Sequence, residues 1–231
     1  TIENNLISDE QIKYGLGSSA ASVVLTLKLL NRLYRTNLSP LVLFKMSVLI
    51  QKELNSLTSG GDLACTIFDV PLYYVRYDLN WLLKETRVFE LLEIEWPLLE
   101  IKLLTKIPYF LVGWTKENFT PDTNGKVHDS FYQKADKLVN NYLVTYDDMY
   151  LRQYQNLLDE LGLSRKGMVT PRLKALVKSA KELGVVAKIS GAGYGDCGIA
   201  QINDKSVIEP LTKMWENEGI IILDIWRKDN E

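Results

Sequence analysis

The chain has 231 residues, 46% of them hydrophobic and 24% charged, with a formal net charge of −2. That is enough apolar material to build a sizeable core, and it excludes a disordered or fibrous chain. Charges of both signs are interspersed, so the basic face or tail of a nucleic-acid binder is missing and small-molecule partners are expected.

Taken in chain order, the first feature is the glycine-rich turn Tyr14-Gly15-Leu16-Gly17-Ser18-Ser19. Beyond it Val23, Val24, Leu27, Leu30, Leu33 and Tyr34 recur at helical spacing, which predicts a helix from near Ser19. Ser39 and Pro40 then read as an N-cap and a first-turn proline. They precede a second helix that carries Leu41, Phe44, Val48 and Leu49 and ends before Thr58. β-Branched and aromatic residues predict extended segments at Tyr73–Tyr77, Leu99–Leu104 and Tyr109–Trp114, with a domain boundary near Lys106. Lys116–Asp129 contains Pro121, Asn124 and Gly125, lacks periodicity and reads as a mobile loop.

Thr170-Pro171 repeats the cap grammar ahead of Leu173, Leu176, Val177, Ala180 and Leu183, with Gly184 at the left-handed C-terminal position. Extended segments follow at Val185–Ile189, Gly198–Ile202 and Ile220–Trp226, the last two separated by a helix over Lys205–Glu218. From Tyr109 the order is strand, helices, strand, strand, helix, strand. That is the split βαβ plan of a ferredoxin-like domain with an extra helix pair inserted. The fold class is therefore mixed α+β.

The longest apolar stretches are broken by Lys, Arg or Asp before the roughly 18 to 20 residues of a membrane span, so none is predicted. Cys65 and Cys197 are far apart and have no Cys or His at metal-ligand spacing, which points to free thiols in a reducing, cytoplasmic compartment. The chain starts at Thr1 without an initiator methionine, so the lack of a signal peptide carries little meaning. His128 is the only histidine, which argues against a Ser-His-Asp triad or a histidine metal site.

Three segments carry chemistry. Gly15-Leu16-Gly17-Ser18-Ser19-Ala20 puts small residues at a helix entrance, where unpaired backbone N–H groups and the helix dipole favour a phosphate. An ordinary loop with a serine N-cap is an equally good reading of that segment alone. Ser190-Gly191-Ala192-Gly193-Tyr194-Gly195-Asp196-Cys197-Gly198 joins two strands through more glycine than a tight hairpin needs. It suggests a nest of N–H donors flanked by Lys188 and Asp196, the alternative being a long flexible hairpin. Ser59-Gly60-Gly61-Asp62-Leu63-Ala64 sets a carboxylate among small residues; as a lone residue, Asp62 would more often cap a short helix beginning at Leu63. No Walker-type or dinucleotide fingerprint is present.

In combination these segments, with Lys13-Tyr14 ahead of the first and Gly113-Trp114-Thr115 between, resemble the GHMP kinase superfamily throughout the chain. The Lys-Tyr-Gly-Leu-Gly-Ser-Ser opening and the Gly-Asp-Cys-Gly ending are most similar to its bacterial phosphomevalonate kinases. The resemblance implies a two-domain fold: residues 1–105 as the remainder of an ATP-binding domain like domain 2 of ribosomal protein S5, and 106–231 as a ferredoxin-like domain. It implies ATP and Mg²⁺ as cofactors, a phosphorylated acid (phosphomevalonate) as substrate, and a monomer or homodimer. Lys13, Gly15, Leu16, Gly17, Ser18, Ser19 and Ala20 would surround the ATP phosphates, with Ser19 the Mg²⁺ ligand and Ser18 a phosphate or substrate contact. Asp62 would orient or deprotonate the acceptor, and Ser190, Gly191, Ala192 and Gly193 would hold the substrate phosphate.

Family members carry more than a hundred residues ahead of the first glycine turn, so the chain by itself is expected to be an incomplete kinase. Two further departures are Tyr194, where glycine is usual and which adds bulk beside the nest, and a short, serine-poor segment after Trp114. A sister kinase acting on an alcohol, a non-catalytic sensor and a non-catalytic interaction fragment are the competing readings.

Overall fold

The computed structural model describes residues 8, 12–120 and 127–223, and the chain divides into two units, Thr1–Ile107 and Pro108–Glu231.

The first unit is helical around a small sheet. It contains α1 (Ser18–Leu33), α2 (Pro40–Glu53), α3 (Gly61–Phe68), α4 (Leu79–Lys84) and α5 (Glu90–Glu93), with β1 (Leu72–Val75) antiparallel to β2 (Glu100–Leu103). Helix α2 starts as its sequence predicts, because the Ser39 side chain accepts a hydrogen bond from the Val42 N–H at 3.3 Å and Pro40 opens the first turn. Val24 and Leu27 of α1, Phe44 and Val48 of α2, and Leu63 and Ile67 of α3 share one core with Trp96. The Lys28 ammonium adds a link between α1 and α3 by donating to the Thr66 carbonyl at 2.9 Å.

Leu30, Leu33 and Tyr34 belong to the same helical pattern as Val24 and Leu27, yet all three are exposed, as are Leu25 and Leu29. The core takes one stripe of α1 and leaves its other apolar positions uncovered among the described residues. Lys45 is buried, and its ammonium donates to the carbonyls of Leu92 and Ile94 at 3.2 and 2.6 Å, closing the end of α5. Burial lowers its pKa, and Glu95 acts in the opposite direction.

The second unit runs β3 (Tyr109–Asn118), α6 (Asp129–Thr145), α7 (Asp148–Ser164), α8 (Pro171–Glu182), β4 (Val186–Ile189), β5 (Gly195–Ile202), α9 (Ile208–Asn217) and β6 (Ile221–Leu223). All sheet pairings are antiparallel and the strand order is β4-β5-β3-β6, which places the unit's first strand between its third and its last. This is the ferredoxin-like arrangement, with α6 and α7 as the inserted pair.

β3 continues to Asn118, so the start of the predicted 116–129 loop is strand; residues 121–126 of that loop lie outside the described residues, as do 224–226 of the last predicted strand. β5 begins at Gly195, three residues earlier than its sequence suggests, which shortens the preceding glycine loop to Ser190–Tyr194.

Gly113 and Gly198 face each other across β3 and β5. A Cβ on Gly113 would lie 2.9 Å from Trp215, and one on Gly198 would lie 2.7 Å from Leu176. These glycines let α8 and α9 pack down onto the sheet. The outer edge of β4 is covered by α7, whose buried Gln155 accepts the Ile189 N–H at 2.8 Å.

Candidate active site

Helix α1 opens without a serine cap, which removes the ordinary-loop reading of that segment. Its N-cap is Gly17, in the left-handed region at φ +76°, with no side chain bonded into the first turn. The first helical hydrogen bond runs from the Ala21 N–H to the Gly17 carbonyl at 2.9 Å, so the N–H groups of Ser18, Ser19 and Ala20 have no intrahelical partner. Ser19 is exposed, Ser18 is half-buried, and the Ala20 methyl is buried in the core. Gly15 also takes a positive φ, of +74°, while Lys13 and Leu16 are exposed beside the turn.

Asp62 is not a helix cap. Helix α3 begins at Gly61, two residues before the expected Leu63; its cap is Gly60 at φ +85°, and Asp62 is its second residue. The exposed carboxylate turns toward α1: a Cβ built on Gly17 would lie 3.2 Å from Asp62 Cγ and Oδ2. Gly17 is thus required both by its backbone angle and by the carboxylate packed against it. The structure brings the Gly15–Ala20 turn and Asp62 together at the start of two glycine-capped helices.

The Thr58–Gly61 turn that carries Asp62 is held from three sides. Gln51 Oε1 accepts the Thr58 N–H and hydroxyl at 3.3 and 3.0 Å. Arg76 Nη2 donates to the Thr58 carbonyl at 2.9 Å, and the Tyr74 hydroxyl donates to the Ser59 carbonyl at 2.8 Å. Burial raises the pKa of the Tyr74 phenol, so it stays a donor. A Cβ on Gly60 would come within 2.6 Å of the Tyr74 oxygen. Sequence reading missed Gln51, Tyr74 and Arg76. The available signal was a Tyr and an Arg two residues apart within the predicted extended segment Tyr73–Tyr77, a spacing that puts both on one face of an extended chain; in the structure β1 ends at Val75, just before Arg76.

In the second unit the Ser190–Tyr194 loop has glycines of two kinds. Gly191, at φ +67°, has no atom within 4 Å of the place a Cβ would take, and Gly191 and Ala192 are exposed. Gly193 is buried, and a Cβ there would lie 2.5 Å from the Met168 carbonyl oxygen; at Gly195 the corresponding distance to the Glu117 carbonyl oxygen is 2.1 Å. These two are glycine because neighbouring backbone leaves no room.

Tyr194 adds no bulk to the loop. Its ring is buried with Leu158, Met168, Leu173 and Ile189, its N–H donates to the Met168 carbonyl at 2.8 Å, and its own carbonyl accepts the Phe119 N–H at 2.8 Å. Its φ of +65° is strained for a side chain of that size and is held by these contacts. The Ser190 N–H is used by the Cys197 carbonyl at 3.0 Å, whereas the N–H groups of Gly191, Ala192 and Gly193 have no backbone partner among the described residues.

Two ionisable groups flank the loop. Lys188 donates to the Ile189 carbonyl at 2.6 Å with its ammonium 4.9 Å from the centre of the Tyr154 ring. The residue as a whole is half-buried, yet burial of the ammonium pushes its pKa down to about 8. Asp196 takes φ +55°, has one carboxylate oxygen buried without a hydrogen bond, and its carboxyl is pushed up by burial. Neither Cys65 nor Cys197 forms a disulfide. Among the described residues no three His, Cys, Asp or Glu side chains form a metal cluster, and no helix is long and apolar enough to cross a membrane.

A glycine turn opening a helix in an N-terminal unit and a glycine loop in a ferredoxin-like unit define a two-domain α+β kinase architecture. The model of the GHMP kinases N terminal domain matches residues 1–69 and that of the GHMP kinases C terminal region matches residues 149–220. The chain belongs to the GHMP kinase family.

Phosphomevalonate kinase of Streptomyces sp. is 30% identical over 92% of this chain, which spans 64% of that relative's length. Streptococcus pneumoniae phosphomevalonate kinase in complex with phosphomevalonate and AMPPNP is 29% identical, with a TM-score of 0.83 over 94% of this chain and 70% of that one. A second structure of the same enzyme is 30% identical, with a TM-score of 0.77 over 91% of this chain and 69% of that one. Mevalonate kinase of Thermococcus sibiricus is 26% identical over 96% of this chain and 69% of the relative.

Proposed function

We propose that this chain forms the larger part of a phosphomevalonate kinase. The enzyme transfers the γ-phosphoryl group of ATP to the phosphate of phosphomevalonate, yielding ADP and diphosphomevalonate in the mevalonate route to isoprenoids. Residues 1–105 then belong to the ATP-binding domain and 106–231 to the C-terminal domain. The observation that carries this reading is the Asp62 carboxylate packed against Gly17 at the start of α1, where no side chain caps the first turn. A helix start with three free N–H groups is a phosphate site, and a carboxylate beside it repels phosphate unless a cation lies between them. The complex of the Streptococcus pneumoniae enzyme with phosphomevalonate and AMPPNP supports the choice of substrate and nucleotide.

In this reading the backbone from Gly15 to Ala20, with Lys13 and Leu16 at its rim, wraps the ATP phosphates, and Ser18 touches phosphate or substrate. Mg²⁺ suits Ser19 and Asp62. They offer an exposed hydroxyl and an exposed carboxylate, and this ion commonly takes one or two protein oxygens plus phosphate and water, so a three-residue cluster is not needed. Bound there, the ion would neutralise the charge that builds on the phosphate oxygens.

The exposed Gly191–Ala192 turn and the free N–H groups through Gly193, preceded by Ser190, receive the substrate phosphate. An oxygen of that phosphate attacks Pγ, and the bond from Pγ to the bridging oxygen of ADP breaks. A phosphate monoester with a second pKa near 6 is already largely ionised at neutral pH, so the acceptor needs little help from a base and Asp62 acts mainly by placing cations. Two cysteines outside any disulfide favour a reducing, cytoplasmic setting.

The test is ADP release by the full-length protein with ATP and Mg²⁺ against phosphomevalonate, mevalonate and homoserine. Turnover is expected with phosphomevalonate. Turnover with mevalonate or homoserine and none with phosphomevalonate would overturn the assignment in favour of a sister kinase, and no turnover with any would favour a non-catalytic relative.

A further inference from the structure

Lys188 lies on β4, the edge strand, just ahead of the substrate loop, and Ile189 follows it with both backbone groups directed away from β5, toward α7. Gln155 takes the Ile189 N–H at 2.8 Å, and the Lys188 ammonium takes the Ile189 carbonyl at 2.6 Å. That carbonyl belongs to the peptide leading into Ser190. The ammonium also lies over the Tyr154 ring, and no carboxylate among the described residues pairs with it. Asp136, on α6, acts on the Tyr154 phenol and makes no ion pair with Lys188.

Capping one edge carbonyl does not require a charge, since a neutral amide does the same with a much smaller desolvation cost. Lys45, in the first unit, has the ordinary explanation for a buried lysine: it closes a helix end and has Glu95 nearby. Lys188 has neither. A cation with no counter-ion among the described residues, next in sequence to a loop whose Gly191, Ala192 and Gly193 N–H groups have no backbone partner among them, suits a site completed by an anion from solution.

We infer that Lys188 is a positioning residue that makes the Ser190–Gly193 loop selective for a phosphorylated acceptor over an unphosphorylated one. The inference rests on the proposed placing of the substrate phosphate at that loop. Fixed on the Ile189 carbonyl, the ammonium offsets the negative end of the peptide entering the loop and adds positive potential at its entrance. The lowered pKa, caused by burial, agrees with an ammonium that has no counter-ion among the described residues.

The test uses the full-length protein and three variants. Lys188→Gln keeps an N–H donor for the Ile189 carbonyl and loses the charge, Lys188→Met loses both, and Lys188→Arg keeps the charge. The Gln and Met variants should raise KM for phosphomevalonate at least tenfold and leave KM for ATP within about twofold. Both should melt at or above the parental temperature, because an enclosed charge has been removed, and Arg should recover most of the affinity. A parental KM in a folded Gln variant would overturn the inference, as would a loss shared equally by ATP and phosphomevalonate.

If the parent does not turn over phosphomevalonate, the proposed substrate falls independently, and Lys188 is judged by calorimetric titration with inorganic phosphate. Tenfold weaker binding in Lys188→Gln supports the inference; equal binding, or none in the parent, overturns it.

Discussion

Asp62 has two separable roles in principle, as part of a helix terminus and as a charged group facing a ligand. Its side chain caps nothing, because Gly60 is the cap, and its contribution to α3 is the general benefit of a negative charge in a first turn, about 0.3 to 1 kcal/mol. Asp62→Asn keeps the shape that Gly17 accommodates and removes the charge. The variant should therefore melt within a few degrees of the parent while the full-length enzyme loses roughly a hundredfold or more in turnover. Thermal denaturation and steady-state rates measured on the same preparation check this, and parental turnover would leave the mechanism to the glycine turns alone. The candidate residue was legible in the sequence, but its use was not. Local grammar offered Asp62 as the cap of a short helix beginning at Leu63, and only the approach of α1 to α3 showed the carboxylate facing Gly17.

At the level of elements, the β4–β5 connection separates glycines that the sequence cannot tell apart. Ser190 to Gly198 reads as one glycine-rich tract, yet Gly193 and Gly195 serve packing against Met168 and Glu117 backbone, Gly198 makes room for Leu176, and Gly191 alone faces open space. Gly193→Ala should destabilise the protein by about 2 kcal/mol or more, since neither the backbone angle nor the space suits a side chain. Gly191→Ala carries only the cost of a left-handed residue, about 1 to 2 kcal/mol, and should act mainly by raising KM for the phosphorylated acceptor. Urea denaturation alongside acceptor titration distinguishes the two, and a Gly193→Ala protein as stable as the parent would contradict the packing account. Sequence reading treated these glycines alike because Met168 and Glu117 are distant along the chain, and contacts of that kind leave no local pattern. Tyr194 shows the same limit: it reads as bulk in the loop, whereas its ring is buried in the core beneath α7 and α8.

For the whole molecule, the enclosed lysine ties stability to pH. Lys188 has a pKa of about 8 in the fold against 10.5 in an unfolded chain, so between those values the unfolded chain holds a proton the folded one has released. Its contribution is therefore a penalty below about pH 8 that is relieved as pH rises toward 10.5, by about 3 kcal/mol at most. Comparing the parent with Lys188→Met cancels the other titrating groups. The Met variant should be the more stable at pH 7, and its advantage should shrink by pH 10, as read from urea midpoints at both values. A gap that does not change with pH would show that the ammonium is not desolvated.

What the sequence determined by itself was whatever depends on neighbours a few residues away. The Ser39-Pro40 and Thr170-Pro171 helix starts, the order of elements from Tyr109 and the glycine-rich turns are all of this kind, because caps, periodicity and turns are short-range. The tertiary structure decided which apolar stripe of α1 is buried, that Asp62 meets Gly17, which glycines are open, and that the Lys188 ammonium is buried with no counter-ion among the described residues. Each of these depends on segments brought together by packing, where burial and excluded volume, rather than local propensity, assign the role of a side chain.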